Sequence, residues 1–258
     1  SRNMKPLEIK HRVIGGGEPL ICVPVVEQDA QSVIREITYL SQSTADMIEW
    51  RVDAFRDFTD YNAIRSVFEA VAPLLGEKLF LYTFRTAHQG GMAQMKAEQL
   101  DDLHDLAAES GCVDLVDLEF FEEDRPLHKI KRLREMGVSV IASHHDFEQT
   151  PSPEVMKMLL EKMCAGGADI VKLAVMPQNY KDVLNLLDVT AQFREENPDT
   201  PVITMSMGSL GGISRISGET FGSCVTFGAH EKPSAPGQFA MKELRQMLDT
   251  IHASSQIQ

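Results

Sequence analysis

The alternation of short apolar runs with longer amphipathic stretches constrains the fold of this chain most strongly. From Pro19 onward, runs rich in β-branched residues recur, and each is followed by a stretch whose apolar residues have helical spacing. The predicted strands are residues 20–26, 47–51, 79–84, 113–118, 138–143, 170–175, 202–205 and 224–227. The predicted helices are residues 29–41, 61–75, 95–110, 125–136, 152–165, 180–196, 213–221 and 238–252. These units, roughly eight in number and without a composition break, predict an α/β protein with one (β/α)8 TIM-barrel domain over residues 1–258.

The segment before the first unit predicts a small addition to the barrel. An alternating run from Leu7 to Ile14 ends in three glycines and is typical of a short β-hairpin, which would lie within an N-terminal tail at residues 1–18. An open doubly wound sheet is the alternative architecture. No Gly-x-Gly-x-x-Gly lies between the first strand and its helix, so the usual signature of dinucleotide binding is missing there.

Charge and composition narrow the class of partner. The chain has 25 Lys+Arg against 38 Asp+Glu, a net charge of −13, which disfavours nucleic acid and anionic membranes. We therefore expect a small-molecule substrate, and arginines at the strand ends if that substrate is an anion. The scattered cysteines and histidines lack metal-ligand spacing, so no metal or other cofactor is expected. The scattered cysteines indicate reduced, mostly buried thiols, so we expect a cytoplasmic protein. No run approaches the roughly 20 apolar residues of a membrane span, and no signal peptide is recognisable.

A lysine in the most apolar predicted strand is the first candidate for chemistry. Lys172 shares one side of the strand at residues 170–175 with Ile170 and Ala174, where its neighbours should be apolar. A buried ammonium without a partner tends to lose its proton, and a neutral lysine can form a Schiff base with a carbonyl substrate. The alternative is a lysine at a strand end that reaches solvent or pairs with a carboxylate.

Charged residues also fall at the carboxyl ends of other strands, where the active site of a barrel lies. Glu49 and Arg51 share one face of the second strand and either bind substrate hydroxyls or satisfy each other. Arg85 ends the third strand, and its planar guanidinium suits a carboxylate, a diol or a neighbouring glutamate. Asp117 and Glu119 on the fourth strand would orient a base, raise the pKa of a lysine or serve stability alone.

The fifth strand and two loops complete the candidate site. His144 and His145 are adjacent on a strand, so only one can face the barrel interior, where a histidine beside a neutral lysine suits general acid–base catalysis. The glycine-rich loop after the seventh strand ends in Arg215 and could hold an anion. The loop at residues 228–238 is long, polar and rich in Pro and Gly, which indicates a lid, with a solvated connector as the alternative.

These segments together resemble a known family. They are residues 49–53 (EWRVD), 84–86 (FRT) followed by Gly90 and Gly91, 143–147 (SHHDF), 171–174 (VKLA), 206–208 (SMG) with 214–215 (SR), and 234–238 (SAPGQ). In this order and combination they resemble the signature segments of type I 3-dehydroquinate dehydratase, and the resemblance spans nearly the whole chain after Pro19. It implies a barrel enzyme of the shikimate pathway that is metal-free, usually dimeric, and converts 3-dehydroquinate to 3-dehydroshikimate and water.

The resemblance also implies roles for individual residues. Lys172 would form the imine with the ring ketone, and His145 would remove the C2 proton and later protonate the departing C1 hydroxyl. Arg215 would hold the substrate carboxylate. The other implied contacts are the lid residues Ser234 and Gln238, the hydroxyl-binding residues Glu49, Arg51 and Arg85, and the pocket walls Met205, Met207 and Phe227.

One departure from the family pattern leaves alternatives open. Gln89 stands where the family usually has a glutamate before the two glycines, and an amide cannot supply negative charge to raise the pKa of a histidine. We expect Gln89→Glu to leave imine formation intact and to raise dehydration turnover. His144 stands where a small polar residue is usual. A Schiff-base class I aldolase and a non-catalytic small-molecule-binding paralogue are the alternative functions.

Overall fold

Eight parallel strands form a nearly closed barrel in the computed structural model, which describes residues 7–257. The strands are β3 Leu20–Val25, β4 Met47–Arg51, β5 Leu79–Thr83, β6 Leu115–Glu119, β7 Ser139–Asp146, β8 Ile170–Val175, β9 Val202–Ser206 and β10 Val225–Phe227. They pair in sequence order from β3 to β9, and β10 pairs with β3. A parallel bridge between Val202 and Ser223 joins the two ends of the sheet. The predicted TIM barrel is confirmed.

The helices follow the strands and cover the barrel. They are α1 Ala30–Ser41, α2 Tyr61–Val71, α3 Ala97–Glu109, α4 Pro126–Glu135, α5 Pro153–Ala165, α6 Tyr180–Glu196, α7 Gly218–Phe221 and α8 Met241–Ser255. Several begin at side-chain caps, where Asp29, Asp60, Ser152 and Asn179 accept a hydrogen bond from a backbone N–H three residues later. These caps hold the βα loops at the end of the barrel where the site lies. Within residues 7–257, no helix has both the length and the apolar character needed to cross a bilayer.

Strand alternation separates two apolar layers. Outward side chains such as Ile48 and Trp50 pack under the helices, and the Trp50 ring meets Phe68 edge to face with ring centroids 5.3 Å apart. A second cluster fills the barrel interior and includes Met47, Leu79, Leu115, Ile141, Ile170 and Ile203. These interior side chains come early in their strands. The polar side chains on the same faces therefore lie nearer the carboxyl ends.

The N-terminal segment forms the predicted hairpin. Strands β1 Leu7–Ile9 and β2 Arg12–Ile14 pair antiparallel, with Leu7 opposite Ile14. Lys10 and His11 make the two-residue turn with φ values of 50° and 64°, as a hairpin turn of the mirror-image type requires. Ile14 is fully buried within the interior cluster, so the hairpin packs against the barrel interior. Residues 1–6 of the predicted tail lie outside the described residues.

Several predicted boundaries were wrong, and contacts between segments explain three of them. Strand β7 continues to Asp146 because His144, His145 and Asp146 pair with β8. The helix predicted at residues 213–221 is a 3-10 turn, Gly212–Arg215, followed by the separate α7, because the Arg215 carbonyl accepts from Thr226 Oγ1 at 2.6 Å. Helix α8 begins at Met241 rather than at residue 238, because backbone hydrogen bonds of Ala229 with Phe239 and Met241 hold the preceding residues extended.

Candidate active site

Lys172 lies on β8 with its side chain inside the barrel, opposite Ser143 of β7 in the strand register. The residue is 5% exposed, and its Nζ lies 4.1 Å from the centroid of the Phe227 ring. Across residues 7–257, no hydrogen bond or ion pair within 4 Å reaches Nζ. Burial first and the Arg85 charge second lower the pKa of Lys172 from its usual 10.5. This environment favours the neutral, nucleophilic amine.

His145 also faces the barrel interior, and Gln89 fixes its orientation. The His145 backbone N–H donates to Gln89 Oε1 at 2.7 Å, and His145 Nδ1 lies 3.3 Å from the same oxygen. Because an amide oxygen only accepts, Nδ1 must carry the proton and Nε2 must present its lone pair. Nε2 is buried without a hydrogen-bond partner in the described part of the chain. The ring is therefore arranged as a base whose free nitrogen is available to a substrate.

The turn that carries Gln89 is shaped by a glycine. Residues 87–89 form a 3-10 turn that ends at Gly90, whose φ of 89° is left-handed. A Cβ at position 90 would overlap the ring of Phe147, which itself packs over His145 with ring centroids 6.4 Å apart. Glycine at this position therefore brings Gln89 against the catalytic histidine candidate.

The electrostatics of His145 predict the pH dependence of turnover. Burial, followed by the charges of Arg85 and Lys172, lowers the pKa of His145 well below its usual 6.5, so the ring is neutral at pH 7. A base must be neutral to accept a proton, and activity is lost only as pH falls through this lowered pKa. We expect kcat, which reports groups in the enzyme–substrate complex, to stay constant from pH 7 to 6.5 and to decline below that range. A half-maximal kcat above pH 6.5 would contradict this account of the site.

Arg85 lies in a buried network rather than alone at a strand end. It makes a bidentate pair with Asp117, with both N–O distances at 3.0 Å, and reaches Glu119 Oε2 at 2.9 Å. Burial lowers the pKa of Arg85, but Asp117 and Glu119 outweigh burial, so its pKa is raised. Glu119 also accepts from the backbone and hydroxyl of Thr86. Asp117 and Glu119 thus hold the Arg85 guanidinium at the floor of the site.

Glu49 and Arg51 line the same cavity but do not pair with each other. Arg51 makes a bidentate ion pair with Asp53, with both N–O distances at 2.8 Å. Glu49 accepts from Thr83 Oγ1 at 2.8 Å. Asp53 also accepts from the backbone N–H of Arg85 and therefore ties β4 to β5. No cation pairs with the Glu49 carboxylate among residues 7–257, so it remains available to hydrogen-bond donors in the cavity.

Arg215 and the lid meet at the mouth of the barrel. Arg215 is 2% exposed, and its Nη2 donates to the carbonyl of Pro236 in the lid at 2.9 Å. Burial lowers the pKa of Arg215 to about 10. Within residues 7–257 no carboxylate pairs with Arg215, and its buried Nε has no partner. A buried guanidinium without a counterion is a favourable site for an anionic substrate group.

The lid covers the site in this structure. Ser234 N donates to Gln238 Oε1 at 2.9 Å, and Gln238 Nε2 donates to Ser234 Oγ at 3.0 Å. Outside the cavity, Lys232 pairs with Glu27, and the His230 ring stacks on Tyr39. These contacts hold the loop after β10 over the carboxyl ends of the strands.

One cavity at the carboxyl ends of the strands brings most of the predicted site residues together. Its walls are Glu49, Arg51, Arg85, Gly90, His145, Phe147, Lys172, Ala174, Met205, Met207, Phe227, Ser234, Ala235 and Gln238. The predicted site residues outside these walls are Gln89, Asp117, Glu119 and Arg215, and each contacts a residue of the wall. Outward-facing His144 packs edge to face on Phe121 instead.

Sequence reasoning missed several residues that position the site. Asp53, Thr83 and Ser143 hold Arg51, Glu49 and Asp117 by hydrogen bonds. A signal was present for two of them, because Asp53 continues the two-residue spacing of Glu49 and Arg51, and Thr83 shares the face of Arg85. Glu122, which accepts from Gln89, had no such signal.

One cluster outside the barrel has the residue types of a metal site. Asp101, His104 and Glu123 approach one another between α3 and α4, and they are the one such group found among residues 7–257. The Lys129 ammonium already pairs with Asp101 at 3.2 Å and with Glu123. A cation of the protein itself therefore occupies this cluster.

The fold and the site together define a class of protein. A parallel eight-stranded barrel whose carboxyl-terminal mouth encloses a buried lysine, a histidine and arginines under a lid is a TIM-barrel enzyme.

Comparisons with known proteins identify its family. The profile of the type I 3-dehydroquinase family matches residues 21–255. The chain is 41% identical over 250 residues to the 3-dehydroquinate dehydratases of Syntrophotalea carbinolica and Listeria welshimeri, covering 96% of this chain and 99% of each relative. The type I enzyme of Clostridium difficile, solved with covalently modified comenic acid, is 38% identical with a TM-score of 0.93, covering 97% of this chain and 99% of that one. A 3-dehydroquinate dehydratase structure from Geobacillus kaustophilus is 35% identical, also with a TM-score of 0.93, covering 97% and 98% of the two chains. The chain belongs to the type I 3-dehydroquinase family, a family of hydro-lyases.

Proposed function

We propose that the chain eliminates water from 3-dehydroquinate through an imine at Lys172 and releases 3-dehydroshikimate. The observation that carries this proposal is the buried Lys172 amine, which has no hydrogen-bonding or ionic partner within the described residues. It lines the same cavity as His145, whose buried Nε2 also has no hydrogen-bond partner among them. The covalently modified ligand in the Clostridium difficile relative supports covalent chemistry in this family. We place this reaction in the shikimate pathway and expect the protein to be a cytoplasmic homodimer.

The first step uses the neutral amine of Lys172. Its nitrogen attacks the C3 ketone of the substrate, and the carbinolamine that forms loses water to give a protonated imine. The positive imine withdraws electrons from the adjacent C2, so the C2 proton becomes acidic enough for a weak base. The protonated imine between the substrate and Lys172 therefore acts as the electron sink of the reaction.

His145 then carries one proton from C2 to the hydroxyl oxygen on C1. Nε2 removes the C2 proton, the electrons pass into the imine to form an enamine, and the imidazolium returns the proton to the leaving C1 hydroxyl. That step expels water and restores the imine as a conjugated system. Hydrolysis consumes one water, frees Lys172 and releases the enone product. The net reaction is the loss of one water from the substrate.

The remaining cavity residues bind and enclose the substrate in this proposal. Arg215 pairs with the substrate carboxylate, because it is a buried cation without an ionic partner in the described chain. Glu49, Arg51 and Arg85 face the ring hydroxyls from the barrel floor. The remaining wall residues in this role are Met205, Met207, Phe227, Ser234 and Gln238. The closed lid excludes water while the imine is present.

Removing the Arg215 charge is expected to weaken substrate binding. For Arg215→Gln we expect KM for 3-dehydroquinate to rise about 10- to 100-fold, the range of a lost charge-assisted interaction. Thermal stability should be maintained, because the substitution removes a buried charge that lacks a counterion. Steady-state kinetics measure the effect, with Arg132→Gln as the control, since Arg132 is exposed and pairs with Asp105 on the helices. An unchanged KM for Arg215→Gln would exclude this role.

A single assay tests the proposed function against its alternatives. The purified chain is mixed with 3-dehydroquinate and the ultraviolet absorbance of a conjugated enone is followed. Growth of this absorbance supports dehydration. A Schiff-base aldolase would cleave a carbon–carbon bond without forming this enone, and an inert binding protein would leave the absorbance unchanged.

A further inference from the structure

We propose that Glu122 is a positioning residue that acts on His145 through the side-chain amide of Gln89. The inference rests on the proposed function, because it assigns Glu122 a part in the proton transfer at His145. Neither carboxylate oxygen of Glu122 lines the substrate cavity, so the residue acts only through its neighbours.

The orientation of the Gln89 amide is fixed at both ends. The backbone N–H of His145 requires an acceptor and takes Gln89 Oε1 at 2.7 Å. The amide nitrogen must then face away from the histidine, and Nε2 donates to Glu122 Oε1 at 3.2 Å. Gln89 is 5% exposed, so water does not readily replace either contact. The buried amide is a bridge between His145 and the Glu122 carboxylate.

A carboxylate bound to the Gln89 amide changes the strength of the hydrogen-bond acceptor that the amide presents to His145. Hydrogen bonds in series polarise one another, so an anion that accepts from Nε2 makes Oε1 a stronger acceptor. Oε1 lies 3.3 Å from His145 Nδ1. A stronger acceptor there favours the tautomer with the proton on Nδ1 and supports the imidazolium that forms after proton removal. Four neighbouring charged groups oppose this effect because they lower the pKa of His145: Arg85, Lys172, His144 and Arg51.

Glu122 is the nearby carboxylate that is available to polarise the Gln89 amide. Glu119 is engaged by Arg85 and Thr86, and Glu123 is engaged by Lys129. The charge partners of Glu122 are weak, because His88 Nδ1 lies 3.8 Å away on a side chain that is 68% exposed. His144 also feels the Glu122 charge from β7. Glu122 itself ends the 3-10 turn after β6 with a side chain that is 36% exposed, so its replacement should leave the barrel folded.

The same geometry modifies the expectation for Gln89→Glu. A carboxylate introduced at position 89 would place a second negative oxygen beside Glu122, at about the spacing of the present hydrogen bond. Two carboxylates that share a site repel, and the pKa of one of them rises. The gain in turnover from Gln89→Glu should therefore be limited by Glu122 and larger when Glu122 is also replaced.

The test is a double-mutant cycle on the full chain with 3-dehydroquinate. Glu122→Ala should lower kcat about two- to tenfold, the range of one net hydrogen bond, with KM unchanged. Glu122→Gln keeps a neutral acceptor and should recover part of this loss. In the Gln89→Glu background the sign should reverse, so that adding Glu122→Ala raises kcat. Glu148→Ala is the matched control, because Glu148 is an exposed carboxylate at the same end of the barrel.

A measurement without turnover separates this inference from the proposed function. Nitrogen NMR of the His145 ring at pH 7 should give the Nδ1–H tautomer in the parent chain and a larger Nε2–H fraction in Glu122→Ala. An inactive parent chain that still shows this tautomer shift would remove the proposed function and keep the coupling of Glu122 to His145. An unchanged tautomer, or a loss of kcat with the same sign in both backgrounds, would overturn the inference.

Discussion

Lys172→Met is expected to lower turnover of 3-dehydroquinate by about 10⁴-fold or more, the order seen when a covalent nucleophile is removed. Every later step of the proposed reaction needs the imine, so no other residue of the cavity can compensate. Methionine has a similar length and no charge, which suits an interior position bounded by Phe227. The enone assay measures the loss.

The same substitution should leave the fold intact, which makes the result interpretable. Lys172 makes no ion pair among residues 7–257, so replacing it leaves no buried counterion unpaired. We expect the midpoint of thermal unfolding to stay constant or to rise. Lys157→Met is the control, because Lys157 is a surface residue of α5 that pairs with Glu196. Substantial turnover by a folded Lys172→Met protein would contradict the imine mechanism.

His145→Ala is expected to separate imine formation from dehydration. Loss of a general acid–base catalyst typically costs about 10²- to 10⁴-fold, and kcat should fall within that range. Burial is the largest cause of the lowered pKa of Lys172 and does not depend on His145, so the variant should still form the imine. Borohydride should therefore still trap the substrate on the variant while the enone appears slowly.

The neighbouring histidine gives this experiment its control. His144 is one residue away on the same strand, but its ring faces outward and packs on Phe121. His144→Ala should change kcat far less than His145→Ala does. Equal losses of kcat in the two variants would mean that disturbance of strand β7, rather than removal of the interior imidazole, causes the effect.

The parts of the structure that depend on local pattern could be predicted from the sequence. Strand β8 and helix α6 have the predicted bounds, because an apolar run and a long amphipathic stretch with an asparagine cap each specify one element. Strand alternation also predicted that only one of His144 and His145 enters the barrel. The bounds of β7 and α8 were wrong where contacts from other segments decide them.

Side-chain partners within the site could not be predicted in the same way. Arg51 pairs with Asp53 rather than with Glu49, because the chain turns after β4 and brings the Asp53 carboxylate back toward the guanidinium. The contact between Gln89 and Glu122 joins residues 33 positions apart at the ends of two different strands. Such pairs depend on turn geometry, which strand periodicity does not encode.

Mass spectrometry after borohydride reduction tests the central claim most directly. The chain is incubated with 3-dehydroquinate, reduced, digested, and searched for the peptide that carries the added mass. We expect one reduced adduct, on the Nζ of Lys172, and none in the Lys172→Met protein. An adduct on another residue, or no adduct in a protein that forms the enone, would contradict this claim.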